Sequence, residues 1–231
     1  MVQPVGQLLS PVSRVALPLL SRHIDRPAEY RSIYLDMIRV LNLAAVPLMV
    51  FCIVDGQELV DVLLGPRWTA AGPLFRWIAF GGLAAAVNAS AVWLFISQNQ
   101  TASLRRYSMA SAVTNLLAFT IGATLGITYV AAIAAVMFMF VSAPLMLYGA
   151  TRTGPVRFGD IILTCLASVA PGLLVVGIDH LVRKVGLAPI LQLIVMGPLT
   201  YATFATFILF VASQRLLARN IGRELKHILN R

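Results

Sequence analysis

Five ionisable or amide side chains lie inside apolar stretches of this sequence: Arg14, Asp36, Arg39, Asn88 and Asn115. A charged group at the depth of lipid hydrocarbon costs about 2.5–3.5 kcal/mol on insertion scales, so it must face a cavity or a partner. Guanidinium, carboxylate and amide groups are also those that bind phosphates, cations and sugar hydroxyls. These five residues are therefore the candidates for binding a polar substrate or a coupling ion.

Each of these residues also has a structural interpretation. Asp36 and Arg39 are three residues apart, so on a helix they share a face and can neutralise each other. A structural pair is favoured, and a gating ion pair or a proton-coupled carboxylate is the alternative. Asn88 and Asn115 can hydrogen-bond across helices, which is favoured, or bind sugar hydroxyls in a cavity. Arg14 can extend along the helix to the membrane surface and mark its end.

The sequence shows no catalytic pattern. His23, His180 and His227 fall in separate loops, and no Ser, His and Asp grouping or phosphate-binding glycine loop is present. Cys52 and Cys165 each lie in an apolar run without metal-ligand spacing. We therefore expect no enzyme activity, no bound metal and no cofactor.

The elements that hold the candidates are membrane helices. Apolar residues make up 59% of the chain, and residues 127–150 and 189–213 contain no Asp, Glu, Lys or Arg. Backbone groups in lipid must be satisfied within the segment, so such runs are helices. The pattern predicts an all-α polytopic bundle with a partial, proline-interrupted helix over residues 2–20. Six full spans are predicted at 32–54, 73–97, 107–126, 127–150, 161–182 and 189–213.

Loop charges predict the orientation of the bundle. Arg and Lys concentrate before the first span, between spans two and three, between spans four and five, and after span six, all on one side. Basic loops stay in the cytoplasm. The C-terminus is therefore predicted to be cytoplasmic, and the net charge of +9 is assigned to topology and anionic lipid rather than to nucleic acid. Arg183 and Lys184, between spans five and six, are the exception.

Two domains are predicted. Residues 1–213 form a single transmembrane bundle, and residues 214–231 form a basic tail. In the tail Leu216, Leu217, Ile221, Leu225 and Ile228 recur at helical spacing with basic residues between them. This pattern predicts an amphipathic helix on the inner leaflet, and a frayed basic tail is the alternative.

Two blocks of the sequence resemble a known family. These are PVSRVALPLLSR at residues 11–22 and ELVDVLLGPRWTAAGPLFRWIAF at residues 58–80. They resemble the C-terminal half of the polysaccharide (O-antigen and exopolysaccharide) transport flippases, of the multidrug, oligosaccharidyl-lipid and polysaccharide exporter superfamily. The remaining spans resemble that family only in spacing and hydropathy.

The resemblance implies a function and partners. It implies that the chain is one lobe of a two-lobe alternating-access transporter that flips lipid-linked oligosaccharide, of the undecaprenyl type, across the bacterial inner membrane. Arg14 would then face the cavity and meet a pyrophosphate. A missing N-terminal lobe, membrane lipids and polysaccharide assembly proteins are the expected partners, and the chain would be a truncated product, a fragment or one half of a split transporter. The alternative is a membrane scaffold in a polysaccharide machine that transports nothing itself.

Overall fold

The chain is described by a computed structural model, which covers residues 14–186 and 188–229, with side chains described through residue 209. Residues 14–22 form α1. The other α-helices are α2 (Pro27–Val54), α3 (Gly56–Leu63), α4 (Gly72–Ser97), α5 (Thr101–Leu125), α6 (Ile127–Met137), α7 (Ala143–Thr151), α8 (Phe158–Leu166), α9 (Val169–Lys184) and α10 (Pro189–Leu229). A 3₁₀ helix (Pro66–Ala71) precedes α4, and a π-helical turn (Phe138–Ser142) joins α6 to α7.

The described helices are long and apolar enough to give six candidate membrane spans. These are Pro27–Val54, Pro66–Ser97, Thr101–Leu125, Ile127–Thr151, Phe158–Lys184 and Pro189–Leu209. The predicted all-α polytopic bundle is thus confirmed, and the predicted spans overlap the observed ones in order. α5 buries little of its apolar surface and exposes Val113, Leu116, Leu117 and Phe119, as expected of a helix solvated by lipid.

Glycine and proline determine where the helices reverse or bend. The reversal between the predicted spans three and four occurs at Gly126, whose φ of 118° ends α5. Gly122 lets the two helices meet, because a Cβ there would lie 2.5 Å from the Cα of Val130. Pro144 lacks the amide hydrogen that a continuous helix would use, and the π-helical turn lies immediately before it.

α2 and α4 form the centre of the bundle, with α6 and α7 packed on α4 and with α8, α9 and α10 packed on α2. One buried cluster surrounds the first half of α2 and includes Tyr30, Tyr34 and Ile38 with Phe95 and Leu147. A second surrounds its last turns and includes Val46, Val50 and Val54 with Met196 and Phe204. α2 is thus the axis that connects the two ends of the molecule.

The two ends carry different charges. We call the basic end the one formed by the start of α2, the α4–α5 connection and the α7–α8 connection, where Arg31, Arg105, Arg106, Arg152 and Arg157 lie. We call the other end, formed by the α2–α4 and α9–α10 connections, the acidic end after its cluster of acids, Asp55, Glu58, Asp61 and Asp179; Arg67, Arg76, Arg183 and Lys184 also lie there. α10 is helical without interruption to Leu229, so the tail predicted at residues 214–231 begins within a continuous helix. Its attachment to a lipid surface stays a prediction.

Candidate functional site

Asp36 and Arg39 form the predicted ion pair on α2, with Arg39 Nη1 donating to Asp36 Oδ1. The pair is not buried, since the exposed fractions are 66% for the Asp36 side chain and 48% for the Arg39 side chain. From Arg31, which is ion-paired at the basic end, to Asp36 the helix advances about 7 Å at 1.5 Å per residue. The exposed Asp36–Arg39 pair therefore lies further along α2 than the basic end, within the apolar bundle.

Asn88 and Asn115 are both half-buried in their helices, α4 and α5. The Oδ1 atom of Asn88 is buried and accepts no hydrogen bond within the part of the chain that the structure describes. The Oγ atom of Ser142, in the π-helical turn that packs against both α4 and α5, is a second such atom. Whether the two asparagines join helices or bind a sugar stays a prediction.

Arg14 is exposed at the first described residue of α1. Two other residues of α1, Ala16 and Leu20, are fully buried in the cluster around the first half of α2. Apart from Asp36 with Arg39, no hydrogen bond or ion pair between described residues joins any two of the five sequence-predicted candidates. Their predicted roles in binding stay predictions.

The most connected polar cluster lies at the acidic end, around Arg183 in α9. Arg183 Nε donates to Asp179 Oδ2 at 2.7 Å, Nη2 donates to the Val54 carbonyl at 3.1 Å, and Nη1 donates to Glu58 Oε1. Its Nη2 atom also lies 3.7 Å from Asp55 Oδ1. One guanidinium thus ties the end of α9 to the end of α2 and to α3.

α10 joins this cluster through a buried amide. Gln192 Nε2 donates to Asp55 Oδ1 at 2.8 Å and to Asp179 Oδ1 at 3.3 Å. Asp55 is fully buried, and its Oδ2 atom has no partner among the described residues; the same holds for Oε2 of Glu58. We call Asp55, Glu58, Asp179, Arg183 and Gln192 the acidic-end network.

Burial raises the pKa of Asp55 to about 6. The hydrogen bond from Gln192 and the charge of Arg183 act in the opposite direction, and the carboxylates of Asp179 and Glu58 raise the pKa further. With all groups ionised, three carboxylates face one guanidinium. The arrangement can therefore take up a proton near neutral pH, which would relieve the excess negative charge.

Sequence reasoning treated Arg183 as the exception to the charge bias and missed this network. The spacing of Asp179 and Arg183, one helical turn apart, could have indicated a local pair. No sequence signal indicates that Glu58 and Gln192 meet them, because three separate helix ends must first come together. Arg183 and Lys184 stay the exception to the charge bias, because that bias counts basic residues whether or not acids pair with them.

At the basic end one ion pair links α2 to α8. Arg31 Nε donates to Asp160 Oδ2 at 2.8 Å and Arg31 Nη2 donates to Asp160 Oδ1 at 2.6 Å, which is the two-pronged arginine–carboxylate geometry. Asp160 Oδ2 also accepts from the Arg157 amide at 3.1 Å. This contact fixes the α7–α8 connection against the first turns of α2.

The LLGPRW block at residues 63–68 forms the turn from α3 into the 3₁₀ helix. Gly65 has a φ of 86°, and its carbonyl accepts a hydrogen bond from the Trp68 amide at 3.0 Å. Nearby, Thr69 Oγ1 donates to Asp61 Oδ1 at 2.8 Å. This part of the second block that resembles the flippases is thus a structural turn at the acidic end.

The chain was compared with known proteins. A sequence-family model described as "Polysaccharide biosynthesis protein" matches residues 1–73, which include α1, α2, α3 and the 3₁₀ helix. No curated protein and no solved structure matches the chain. The match supports a polysaccharide biosynthesis and export family, and together with six apolar helices it fits a multi-pass membrane protein of polysaccharide transport or biosynthesis.

Proposed function

We propose that this chain is one lobe of a transporter that flips lipid-linked oligosaccharide units, of the undecaprenyl type, across the bacterial inner membrane. The observation that carries the proposal is the polysaccharide biosynthesis match over residues 1–73. In this proposal the chain performs transport rather than catalysis. Its basic end and C-terminus face the cytoplasm, because basic loops resist translocation.

The exposed Asp36–Arg39 pair supports a lobe rather than a bundle solvated by lipid on all sides. An ion pair that faces hydrocarbon loses the solvation that an aqueous cavity would supply. If a second lobe faces this side of α2, the pair lies on the wall of the cavity between the lobes. A cavity of this kind, at the interface of two repeats, is where alternating-access transporters bind their substrates.

The test is to delete the gene in the source bacterium and to measure lipid-linked oligosaccharide on the inner leaflet and polymer at the cell surface. We expect the lipid-linked units to accumulate and surface polymer to disappear, with both restored by the wild-type gene. A deletion strain that accumulates no lipid-linked units and exports polymer normally would contradict the proposal.

The role of the pair is tested in the same strain with the double variant Asp36→Asn/Arg39→Gln. We expect at least about a tenfold loss of export, which corresponds to about 1.4 kcal/mol, at an unchanged amount of protein in the membrane. Arg67→Gln is the matched control, because Arg67 is exposed at the acidic end and forms no ion pair among the described residues. Full export by the double variant would remove the pair from the mechanism.

A membrane scaffold for a polysaccharide machine is the second candidate. It is favoured by the description of the matched family, which names polysaccharide biosynthesis and not transport. A scaffold predicts that deletion lowers the membrane abundance of the polysaccharide enzymes, whereas Asp36→Asn/Arg39→Gln leaves export unchanged. Export by a cell in which this chain is the only flippase component would contradict it.

A further inference from the structure

A cavity of about 830 Å³ opens at the basic end between α5 and α7. Ser103, Arg106 and Tyr107 line it from α5, and Arg152 and Thr153 line it from the end of α7 and the connection that follows. This volume is in the range of small-molecule binding sites, which is about 300–1,000 Å³.

Close packing holds the inner wall of the cavity. The Tyr107 ring lies directly against Gly149 of α7, where an added Cβ would come within 2.4 Å of the ring. The ring also packs against Phe95 of α4, with 5.9 Å between the ring centroids. Glycine at position 149 is therefore what allows the ring to form this wall.

A hydrogen bond between two connections holds the rim. Gln100, at the start of α5, donates through Nε2 to Thr153 Oγ1 at 2.5 Å and to Gln98 Oε1 at 2.9 Å. Gln100 and Thr153 both line the cavity. The α4–α5 and α7–α8 connections are thus tied together at its mouth.

The charge in the cavity is positive. Arg106 and Arg152 are both exposed and line it, and the lining contains no carboxylate. Neither arginine is in an ion pair within the described residues, unlike Arg31 at the same end, which pairs with Asp160. Two guanidinium groups without an acid near them favour a multiply charged oxygen anion, and phosphate fits their hydrogen-bonding geometry.

The lining changes from polar to apolar with depth. Gln100 and Thr153 lie at the rim, whereas Ala110 of α5 and Leu145 of α7 lie further from the basic end along their helices. An anion with no apolar part would leave this deeper wall uncovered. A lipid would cover both parts, with its phosphate at the arginines and the first carbons of its chain against Ala110 and Leu145.

We propose that this cavity binds the phosphate-bearing headgroup of an anionic membrane lipid, in the leaflet at the basic end. Arg106 and Arg152 pair with the phosphate oxygens, and Ser103 and Tyr107 offer hydroxyl groups to them. The site lies on the α5 side of the bundle. Lipid binding at this site requires only that the helices lie in a membrane, and it does not depend on the proposed translocation.

The test uses the full chain purified in detergent and titrated with phosphatidylglycerol, and native mass spectrometry counts the lipids that stay bound. We expect one tightly retained phosphatidylglycerol per chain and weaker retention of zwitterionic phosphatidylcholine. Arg106→Gln and Arg152→Gln should each weaken retention about tenfold, the factor that corresponds to the loss of one hydrogen bond between charged groups. A double variant should lose more than either single variant.

Arg105→Gln is the matched control. Arg105 is the neighbouring exposed arginine of α5 and does not line the cavity, so its loss should change retention less than twofold. An equal loss in all three single variants would reveal a diffuse electrostatic effect and overturn the site. Thermal unfolding of each variant, unchanged from wild type, separates loss of binding from loss of fold.

A second arm separates a lipid from a soluble phosphate. Inorganic pyrophosphate carries the same anionic oxygens without an apolar chain. If it displaces phosphatidylglycerol only at concentrations far above that of the lipid, the apolar wall contributes and the lipid assignment holds. If it binds as tightly as the lipid does, the site is one for a soluble phosphate and the proposal is wrong.

Discussion

The two ends of the bundle use charge in opposite ways. At the acidic end, Arg183 is surrounded by Glu58, Asp179 and the buried Asp55, so its charge is neutralised within the protein. At the basic end, Arg106 and Arg152 are unpaired among the described residues and face an open cavity. Ion pairs at the acidic end therefore hold three helix ends together, whereas the two arginines at the basic end are available to a ligand.

The comparison is tested most strongly by Arg183→Gln. This change leaves three carboxylates without their guanidinium, two of them nearly buried. Breaking a buried pair costs about 3–5 kcal/mol, and because 38% of the Arg183 side chain is exposed we expect a loss of about 2–3 kcal/mol at pH 7. Unfolding in detergent by denaturant measures it.

The control for Arg183→Gln is Arg67→Gln at the same end, which should change the free energy of unfolding by less than about 0.5 kcal/mol. The loss in Arg183→Gln should shrink at pH 5, where protonation of Asp55, whose pKa is raised to about 6, removes part of the repulsion between the carboxylates. A loss that is equal at pH 5 and pH 7 would mean that packing, and not charge, holds the acidic end.

Asp55→Asn tests the pH dependence of the network. Because the pKa of Asp55 is raised in the folded state, from about 4 when unfolded to about 6, the folded state holds its proton more tightly. Its contribution to stability is therefore complete below pH 4 and falls as the pH rises to 6. The variant lacks this fall, so its stability should rise relative to wild type by about 1–2 kcal/mol between pH 4 and pH 7.

The measurement for Asp55→Asn is denaturant unfolding of both proteins at several pH values. The difference should change mainly between pH 4 and pH 6 and stay constant above pH 7. A difference that does not depend on pH would show that Asp55 does not titrate in this range.

Gly149→Ala tests the packing that forms the inner wall of the cavity at the basic end. The added methyl group meets the Tyr107 ring, and overpacking of this kind costs about 1–3 kcal/mol. We expect about 1 kcal/mol, because the ring can move towards the open cavity. Gly177→Ala in α9, where nothing lies within 4 Å of an added Cβ, is the control and should be neutral or slightly stabilising.

The smallest effect is expected from Asp36→Asn. Both members of its pair are exposed, and such pairs contribute about 0–1 kcal/mol. We expect a loss below about 0.5 kcal/mol in denaturant unfolding, far less than for Arg183→Gln. Equal losses of stability in Asp36→Asn and Arg183→Gln would contradict the conclusion that the ion pairs at the acidic end stabilise the fold more than exposed charges do.

The resemblance of residues 11–22 and 58–80 to polysaccharide flippases and the match over residues 1–73 both point to polysaccharide biosynthesis and export. The described residues of the matched part, 14–73, form α1, α2, α3 and the 3₁₀ helix, with the turn at Gly65. The candidates Arg14, Asp36 and Arg39 lie within it, whereas Asn88 and Asn115 lie outside it. The three charged candidates thus stand in the part of the chain for which a family relation is supported.

The sequence by itself determined the class of fold, the number of spans and their order. Hydropathy depends on composition within about 20 consecutive residues, and lipid permits only a helix for such a run. The reversal at Gly126 and the Asp36–Arg39 pair were equally predictable, because both depend on residues near in sequence.

Only the tertiary structure decided which distant residues meet. Gln192 lies 137 positions from Asp55, and Arg183 lies 125 positions from Glu58. Nothing local in the chain specifies these pairs, since they depend on how α2, α9 and α10 cross and on the depth of each helix end. The cavity beside Arg106 has the same origin, because Gly149 and Tyr107 form its wall only after α5 and α7 pack together.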